Sequence, residues 1–129
     1  MAKEKLVLVG NGMAGMRTLE ELLKAAPDMY AITVFGSEPY GNYNRILLSP
    51  VLAGEKSFND ILLNDEPWYQ TNGIALHKNC EVTGIDRRAR KVIAQDGTAA
   101  EYDRLLLATG SHPVILPVPG NNLSGVITF

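Results

Sequence analysis

The sequence predicts an α/β fold, in which a parallel sheet carries an inserted antiparallel ribbon. The first observation behind this prediction is a strand–helix–strand pattern within the first 35 residues. The second is a change to strand-like segments over residues 80–102, with the two-residue hairpin signal Asp96-Gly97 between them. The third is the apolar run 105–108, which is typical of a strand buried on both faces. Strands that alternate with helices favour a parallel sheet, and the ribbon then interrupts that alternation.

The first unit runs from an apolar strand into an amphipathic helix and back into a strand. Residues 6–9 are apolar without interruption and end at Gly10. Residues 13–26 place apolar side chains at three- and four-residue steps, which gives a helix one apolar face, and Pro27 ends it. Residues 31–35 are rich in β-branched residues and form the second predicted strand. Because strand–helix–strand crossovers are right-handed, these two strands are predicted to be parallel.

The remaining elements are shorter and less regular. The long polar segment 36–50 has a length at which structureless segments are often functional. Two short helical regions are expected, at residues 46–53 and at residues 59–72, the latter in two pieces broken at Pro67. Strands are expected at residues 80–86, 91–95, 98–102 and 105–108. Prolines cluster after residue 112, so we predict a partial domain over residues 1–112 and a linker over residues 113–129.

Composition excludes several classes of function. A chain of 129 residues suits one domain, and a net charge of −2 argues against nucleic acid as the main partner. The single Cys80 can form neither an internal disulfide nor a cysteine-rich metal or iron–sulfur site, which fits a reducing, cytoplasmic setting. His77 and His112 are isolated and are expected on the surface or in loops. No apolar run approaches the roughly 20 residues of a membrane span.

Residues 10–15 have the pattern GxGxxG directly between the first predicted strand and the first predicted helix. In this context Gly10 allows a tight turn, Gly12 lets the backbone approach a pyrophosphate, and Gly15 lets helix and strand pack closely. Met13 and Ala14 open the helix, whose free N–H groups and partial positive charge suit a phosphate. The pattern therefore predicts a Rossmann-like dinucleotide site.

Two further positions complete this predicted site. An acidic residue is expected near the end of the second strand, and here it stands at Glu38, slightly later than usual. Either Glu38 binds the ribose hydroxyls through a longer turn, or Ser37 and backbone groups share that task. Ala108, Thr109 and Gly110 end a buried strand, and ligands of open α/β sheets bind at such strand ends.

Together, the glycine-rich start, the antiparallel ribbon and the strand ending in Ala-Thr-Gly resemble the flavoprotein reductases with two dinucleotide domains. Residues 39–49, with the sequence PYGNYNRILLS, are more specific. They resemble the FAD-binding N-terminal part of the large subunit of NAD(P)H-dependent nitrite reductases, whose relatives include rubredoxin and ferredoxin reductases. The resemblance extends from Lys5 to Phe129. One departure is Pro50, which stands where ferredoxin reductases have a lysine near the flavin, so no role of that lysine carries over.

The resemblance implies a cofactor role for residues of each motif. The glycines would contact the FAD pyrophosphate, Glu38 would lie by the adenosine ribose, and Arg45 would reach the pyrophosphate or the flavin side. Val82 would meet the adenine through its backbone, and residues 108–110 would close over the cofactor. No catalytic residue and no metal ligand is predicted. The full predicted set is Gly10, Gly12, Met13, Ala14, Gly15, Ser37, Glu38, Asn44, Arg45, Val82, Ala108, Thr109 and Gly110.

The resemblance implies that the chain is the FAD-binding segment of an NAD(P)H-dependent oxidoreductase, which relays electrons through flavin in nitrate assimilation. NAD(P)H, sirohaem and an iron–sulfur cluster would bind to further domains, and a small reductase subunit or an oligomer is compatible with this reading. Two alternatives stay open: a segment of a stand-alone rubredoxin or ferredoxin reductase, and a nucleotide-binding module without redox chemistry. By itself the segment is expected to be inactive and to bind FAD weakly or not at all.

Overall fold

The computed structural model describes residues 2–128; Met1 and Phe129, the last residue of the predicted linker, lie outside the described residues. Within this range the chain forms seven strands and three α-helices. The strands are β1 (Glu4–Val9), β2 (Tyr30–Phe35), β3 (Ala75–His77), β4 (Val82–Asp86), β5 (Lys91–Ala94), β6 (Ala99–Glu101) and β7 (Arg104–Leu107). The helices are α1 (Met13–Ala25), α2 (Leu48–Leu52) and α3 (Glu66–Thr71), with 3-10 helices at Arg45–Leu47 and Phe58–Ile61.

The strands form two sheets, and this arrangement confirms the predicted fold class. The first sheet is parallel and has the order β3-β2-β1-β7, while the second is antiparallel and has the order β4-β5-β6. Val9, the last residue of β1, pairs with Phe35 of β2 and with Leu107 of β7, which also end their strands. The segments that follow β1, β2 and β7 therefore leave the parallel sheet at the same edge.

The parallel sheet lies between the helices α1 and α3 on one face and the antiparallel sheet on the other. Successive side chains of a strand point to opposite faces, so Leu6 and Leu8 of β1 pack with Met16 and Leu19 of α1. Val7 and Val9 of β1 face the other way, into a second cluster with residues of the antiparallel sheet. Both faces of β1 are therefore buried, which explains why its sequence is continuously apolar rather than alternating.

Two local expectations are wrong. Pro67 does not break the second helical region, since it lies in the first turn of α3, where a proline loses no helical hydrogen bond. The break falls before Asp65, whose side chain accepts a hydrogen bond from the Trp68 N–H at 3.0 Å and caps the helix. His77, expected on the surface or in a loop, lies half-buried in β3 with its ring stacked on Phe35 at 4.7 Å.

Residues 108–128 contain no helix or strand, as the proline-rich sequence predicts. Several apolar side chains of this stretch are exposed, with Val114 at 86% and Ile127 at 89%. The boundary at residue 112 between domain and linker stays a prediction. None of the helices within residues 2–128 has both the length and the apolar character that crossing a membrane requires.

Candidate functional site

A cavity of about 350 Å³ opens at the edge where β1, β2 and β7 end. Its walls are the turn after β1, the polar segment after β2 and the residues after β7, which contribute residues 10–14, parts of 36–45 and 108–111. The chain adds strands outward from β1 to β3 and then returns to place β7 on the other side of β1. The cavity thus lies at the switch point of the sheet, where open α/β folds bind their ligands.

Gly10 joins the ends of the three strands. Its N–H donates to the carbonyl of Phe35 at 2.8 Å, and the N–H of Ala108 donates to the carbonyl of Val9 at 2.8 Å. Gly10 has a φ of +112°, and a Cβ at this position would lie 2.0 Å from the carbonyl oxygen of Ala108. Only glycine allows the backbones after β1 and β7 to approach this closely.

Gly12 lies on the open side of the same turn. It is the N-cap residue of α1, and no atom lies within 4 Å of the position that a Cβ would occupy. No side chain within the described residues caps this helix start. The N–H groups of the first turn, including those of Met13 and Ala14, therefore lack helical partners and are accessible from the cavity. A helix start of this kind can bind a phosphate.

Ten of the thirteen predicted site residues line the cavity, and Gly15, Asn44 and Val82 do not. Gly15 is buried beneath it, where a Cβ would lie 3.0 Å from the Leu8 side chain, so its visible role is close packing of α1 on β1. The side chain of Asn44 accepts a hydrogen bond from the Ile46 N–H at 3.1 Å and caps the 3-10 helix. Val82 begins β4 and packs on the cluster between the two sheets.

Three polar side chains meet on the wall formed by the segment after β2. The Tyr43 hydroxyl donates to Oε2 of Glu38 at 2.8 Å, and Nη1 of Arg45 lies 3.6 Å from Oε1 of Glu38. Arg45 also approaches the Tyr43 oxygen at 3.4 Å. Among the described residues that line the cavity, Arg45 is the one cation and Glu38 the one acid. One wall thus offers both a donor for an anion and an acceptor for hydroxyl groups.

Sequence reasoning missed six residues that line the cavity. Asn11 occupies a variable position of the glycine motif, and Gly36 and Ser111 lie in loops without a local pattern. Tyr40, Gly41 and Tyr43 lie within the stretch 39–49 that carries the family resemblance, but no site role was predicted for them. A signal for some of them was the unusual length and polarity of segment 36–50. The six are Asn11, Gly36, Tyr40, Gly41, Tyr43 and Ser111.

A hydrogen-bond network anchors the segment after β2 to the rest of the fold. The Tyr69 hydroxyl donates to Oδ1 of Asn11 at 2.5 Å and accepts from the Asn42 N–H at 3.2 Å. Asn11 in turn donates from Nδ2 to the carbonyl of Tyr40 at 3.1 Å. Asn42 is also bonded to Asn64 by its side chain at 2.9 Å. This network holds the cavity wall in one position against the glycine-rich turn.

We expect Tyr69→Phe to destabilise the fold by about 1–3 kcal/mol, because the buried Asn42 N–H loses its acceptor and Asn11 loses a donor. Urea unfolding followed by circular dichroism measures the loss. Tyr40→Phe is the matched control, since Tyr40 is 46% exposed and its hydroxyl has no partner within residues 2–128. Equal stability of the two variants would show that the Tyr69 hydroxyl does not anchor this wall.

Cys80 is a buried apolar side chain rather than a reactive thiol. It is 4% exposed, and its Sγ lies 3.7 Å from both carboxylate oxygens of Asp96. Burial, and then the neighbouring carboxylate, raise the pKa of the Cys80 thiol, so the thiol stays protonated at neutral pH. Residues 2–128 also contain no group of three or more His, Cys, Asp and Glu side chains that could hold a metal ion.

Comparison with known proteins places these features in context. Residues 4–129 match the family described as pyridine nucleotide-disulphide oxidoreductase. The whole chain is 52% identical to nitrite reductase [NAD(P)H] of Bacillus subtilis (strain 168) and spans 16% of it. It is 51% identical to the assimilatory nitrate reductase electron transfer subunit of the same organism and spans 17% of that protein. These identities confirm the resemblance that residues 39–49 indicated.

A solved reductase structure is also similar to this chain. The ferredoxin reductase for the CYP199A2 system from Rhodopseudomonas palustris superposes on this chain with a TM-score of 0.86 at 30% identity. The match covers 97% of this chain and 31% of that structure. This chain therefore spans roughly a sixth of the two Bacillus relatives and about a third of the reductase structure.

Proposed function

Because this chain belongs to the pyridine nucleotide-disulphide oxidoreductase family, we propose that it is the FAD-binding segment of an NAD(P)H-dependent reductase that relays electrons through flavin. The 52% identity to a nitrite reductase supports assignment to that enzyme type. Two proteins named as ferredoxin reductases are more distant, at 36% and 32% identity. Their lower identity makes a segment of a stand-alone reductase the weaker alternative.

One observation carries the proposal: Gly12 leaves the start of α1 open to a cavity at the switch point of the parallel sheet. The unpaired N–H groups of a first helical turn and a guanidinium on the opposite wall form a donor set that fits a diphosphate. Bound FAD would supply the electron transfer, and this segment would hold and orient it. A module that bound a mononucleotide would need only the strand–helix–strand unit, whereas here residues 108–111 form a third wall.

We assign the roles within the cavity as follows. Gly12, Met13 and Ala14 present main-chain N–H groups to the pyrophosphate, and Arg45 adds a charge-assisted contact. Gly10, whose N–H donates to Phe35, allows the turn that places them. Glu38 and Ser37 receive the adenosine ribose, while residues 108–110 close over the cofactor. The contribution of Gly15 is indirect, through the packing of α1. Roles for Asn44 and for the Val82 backbone stay predictions, since neither residue lines the cavity.

The remainder of the proposed reaction would take place outside this segment. NAD(P)H, sirohaem and an iron–sulfur cluster would be held by other domains of a larger protein that serves nitrate assimilation, with a small reductase subunit as a further partner. A cytoplasmic setting is part of the proposal and is compatible with the single reduced, buried Cys80. Oligomer formation is compatible with the proposal as well.

We expect the 129-residue chain to bind FAD weakly, with a dissociation constant above about 10 µM, a binding free energy weaker than about −7 kcal/mol. The reason is that residues 108–128 lack regular structure and one side of the cavity is formed only by them. Flavin fluorescence and amide NMR shifts of Gly10 and Gly12 measure binding and locate it. Riboflavin, which lacks both phosphates, is the matched control ligand and should leave both amides unmoved.

Of three possible outcomes, the first and the last would contradict the proposal, and the second would contradict only the expected weak affinity. Saturable binding of NAD with no binding of FAD would favour a nucleotide sensor. Submicromolar, stoichiometric FAD binding would show that the segment holds the cofactor without other domains, and the expectation of weak binding would be wrong. FAD-induced shifts confined to residues outside the cavity would contradict the site itself.

A further inference from the structure

Tyr43 is held firmly in the cavity wall. Its backbone forms an isolated antiparallel bridge with Leu62, and the following N–H, that of Asn44, donates to the carbonyl of Ile61 at 2.8 Å. The ring meets Phe58 with centroids 5.2 Å apart and meets Tyr40 edge-on at 6.4 Å. The phenol oxygen is therefore fixed by both main-chain and side-chain contacts, unlike the long and exposed side chains beside it.

The Glu38 side chain is hydrogen-bonded to that oxygen. Its backbone is anchored, because the carbonyl accepts from the Asn79 N–H at 2.9 Å, but half of its side chain is exposed. The Tyr43 hydroxyl occupies Oε2 at 2.8 Å. Oε1 lies 3.6 Å from Nη1 of Arg45, beyond normal hydrogen-bond distance, so this oxygen can accept from another donor.

We propose that Tyr43 is a positioning residue that orients the Glu38 carboxylate toward the ribose hydroxyls of a bound adenosine diphosphate moiety. This inference rests on the proposed function, because it requires that the cavity binds an adenine dinucleotide. The two ribose hydroxyls are donors, and Oε1 of Glu38, which accepts no hydrogen bond within residues 2–128, is the acceptor that they need. Tyr43 thereby sets specificity for a ligand that carries a complete ribose.

The phenol is suited to this task over the whole neutral pH range. Burial raises the pKa of Tyr43, and the hydrogen bond to Glu38 raises it further. The hydroxyl therefore stays protonated and donates to the carboxylate. Without it, Glu38 would be free to turn further onto Arg45 and close the 3.6 Å separation into a hydrogen-bonded ion pair on the cavity wall. Such a pair would withdraw the acceptor from the ribose and the guanidinium from the diphosphate.

The test compares ADP with 2′,3′-dideoxy-ADP, using NMR shifts of the Gly10 and Gly12 amides to determine both affinities. For the unmodified chain we expect a preference of about tenfold for ADP, the effect of one hydrogen bond to a charged acceptor. Tyr43→Phe should reduce this preference to less than about threefold, chiefly by lowering the affinity for ADP. Tyr30→Phe, which removes a phenol hydroxyl at the start of β2 and outside the cavity, is the matched control and should keep the preference.

A variant of Glu38 determines whether Tyr43 acts through that carboxylate. Glu38→Ala should remove the ribose preference, and adding Tyr43→Phe to it should cause no further loss. Tyr43 has only a structural role, and the inference is wrong, if Tyr43→Phe lowers the affinities for both ligands equally. The same conclusion follows if Tyr43→Phe lowers the affinity for ADP further in the Glu38→Ala background. If ADP moves neither glycine amide in the unmodified chain, the proposed function itself fails.

Discussion

Replacing Gly12 with Asp should eliminate diphosphate binding while leaving the fold at least as stable as before. Gly12 is the N-cap of α1 with φ −92° and ψ −176°, a conformation that Asp adopts readily, and no atom lies within 4 Å of its Cβ position. Asp is a better N-cap than glycine, and its charge suits a helix start, so we expect a gain of up to about 1 kcal/mol in unfolding free energy. The same carboxylate would occupy the place of the phosphate and repel it, weakening binding by about 100-fold or more.

The NMR titration with ADP that reports on the Gly10 amide measures the binding change, and urea unfolding measures stability. Gly12→Ala is the matched control, because it adds a methyl group without charge and without the N-cap hydrogen bond. It should bind more weakly than the unmodified chain but better than the Asp variant. Retention of ADP affinity in Gly12→Asp would show that the start of α1 is not the phosphate site.

Gly10→Ala should have the opposite effect on stability and destabilise the whole domain. The new Cβ would lie 2.0 Å from the Ala108 carbonyl oxygen and 2.6 Å from its carbon, both backbone atoms. Relief requires β1 and β7 to separate at their ends, in addition to the strain of a φ of +112°. We expect a loss of at least about 3 kcal/mol, a large part of the stability of a small domain.

Gly97→Ala separates the two contributions to this loss. Gly97 also has a positive φ, +87°, but no atom lies within 4 Å of its Cβ position. This variant therefore carries the conformational strain without the collision and should lose only about 1–2 kcal/mol. Chemical unfolding of both variants by urea gives the comparison. Equal losses would mean that the close approach of Gly10 to Ala108 contributes nothing to stability.

The two glycines of one turn thus have different tasks, and the paired variants distinguish them. The sequence motif identified both positions and predicted separate roles for the three glycines, whereas the family resemblance implied that all three contact the pyrophosphate. The structure divides the work: Gly10 lets two strand ends meet, Gly12 faces the cavity, and Gly15 lies beneath it against Leu8. A motif specifies which residues lack side chains, whereas the neighbours that make this necessary belong to other parts of the chain.

Local sequence patterns were enough to predict the α/β class, the β1–α1–β2 unit and the antiparallel hairpin at Asp96-Gly97. These features arise from local causes: the period of apolar residues, the missing side chains of glycine, and the turn preference of Asp-Gly. Nine of the thirteen predicted site residues reach the cavity for the same reason, because they lie within five residues of strand ends that share one edge.

The position of the wall formed by the segment after β2 depends on long-range contacts that the sequence pattern did not predict. The pairing of β3 with β2, the bond from Tyr69 to Asn11 and the bridge between Tyr43 and Leu62 join residues far apart in the chain. A polar loop has no periodic pattern from which such partners could be predicted. A three-residue strand is too short for its alternation of apolar and polar residues to be recognised. Where a loop turns its side chains depends on long-range contacts, which exist only once the chain is folded.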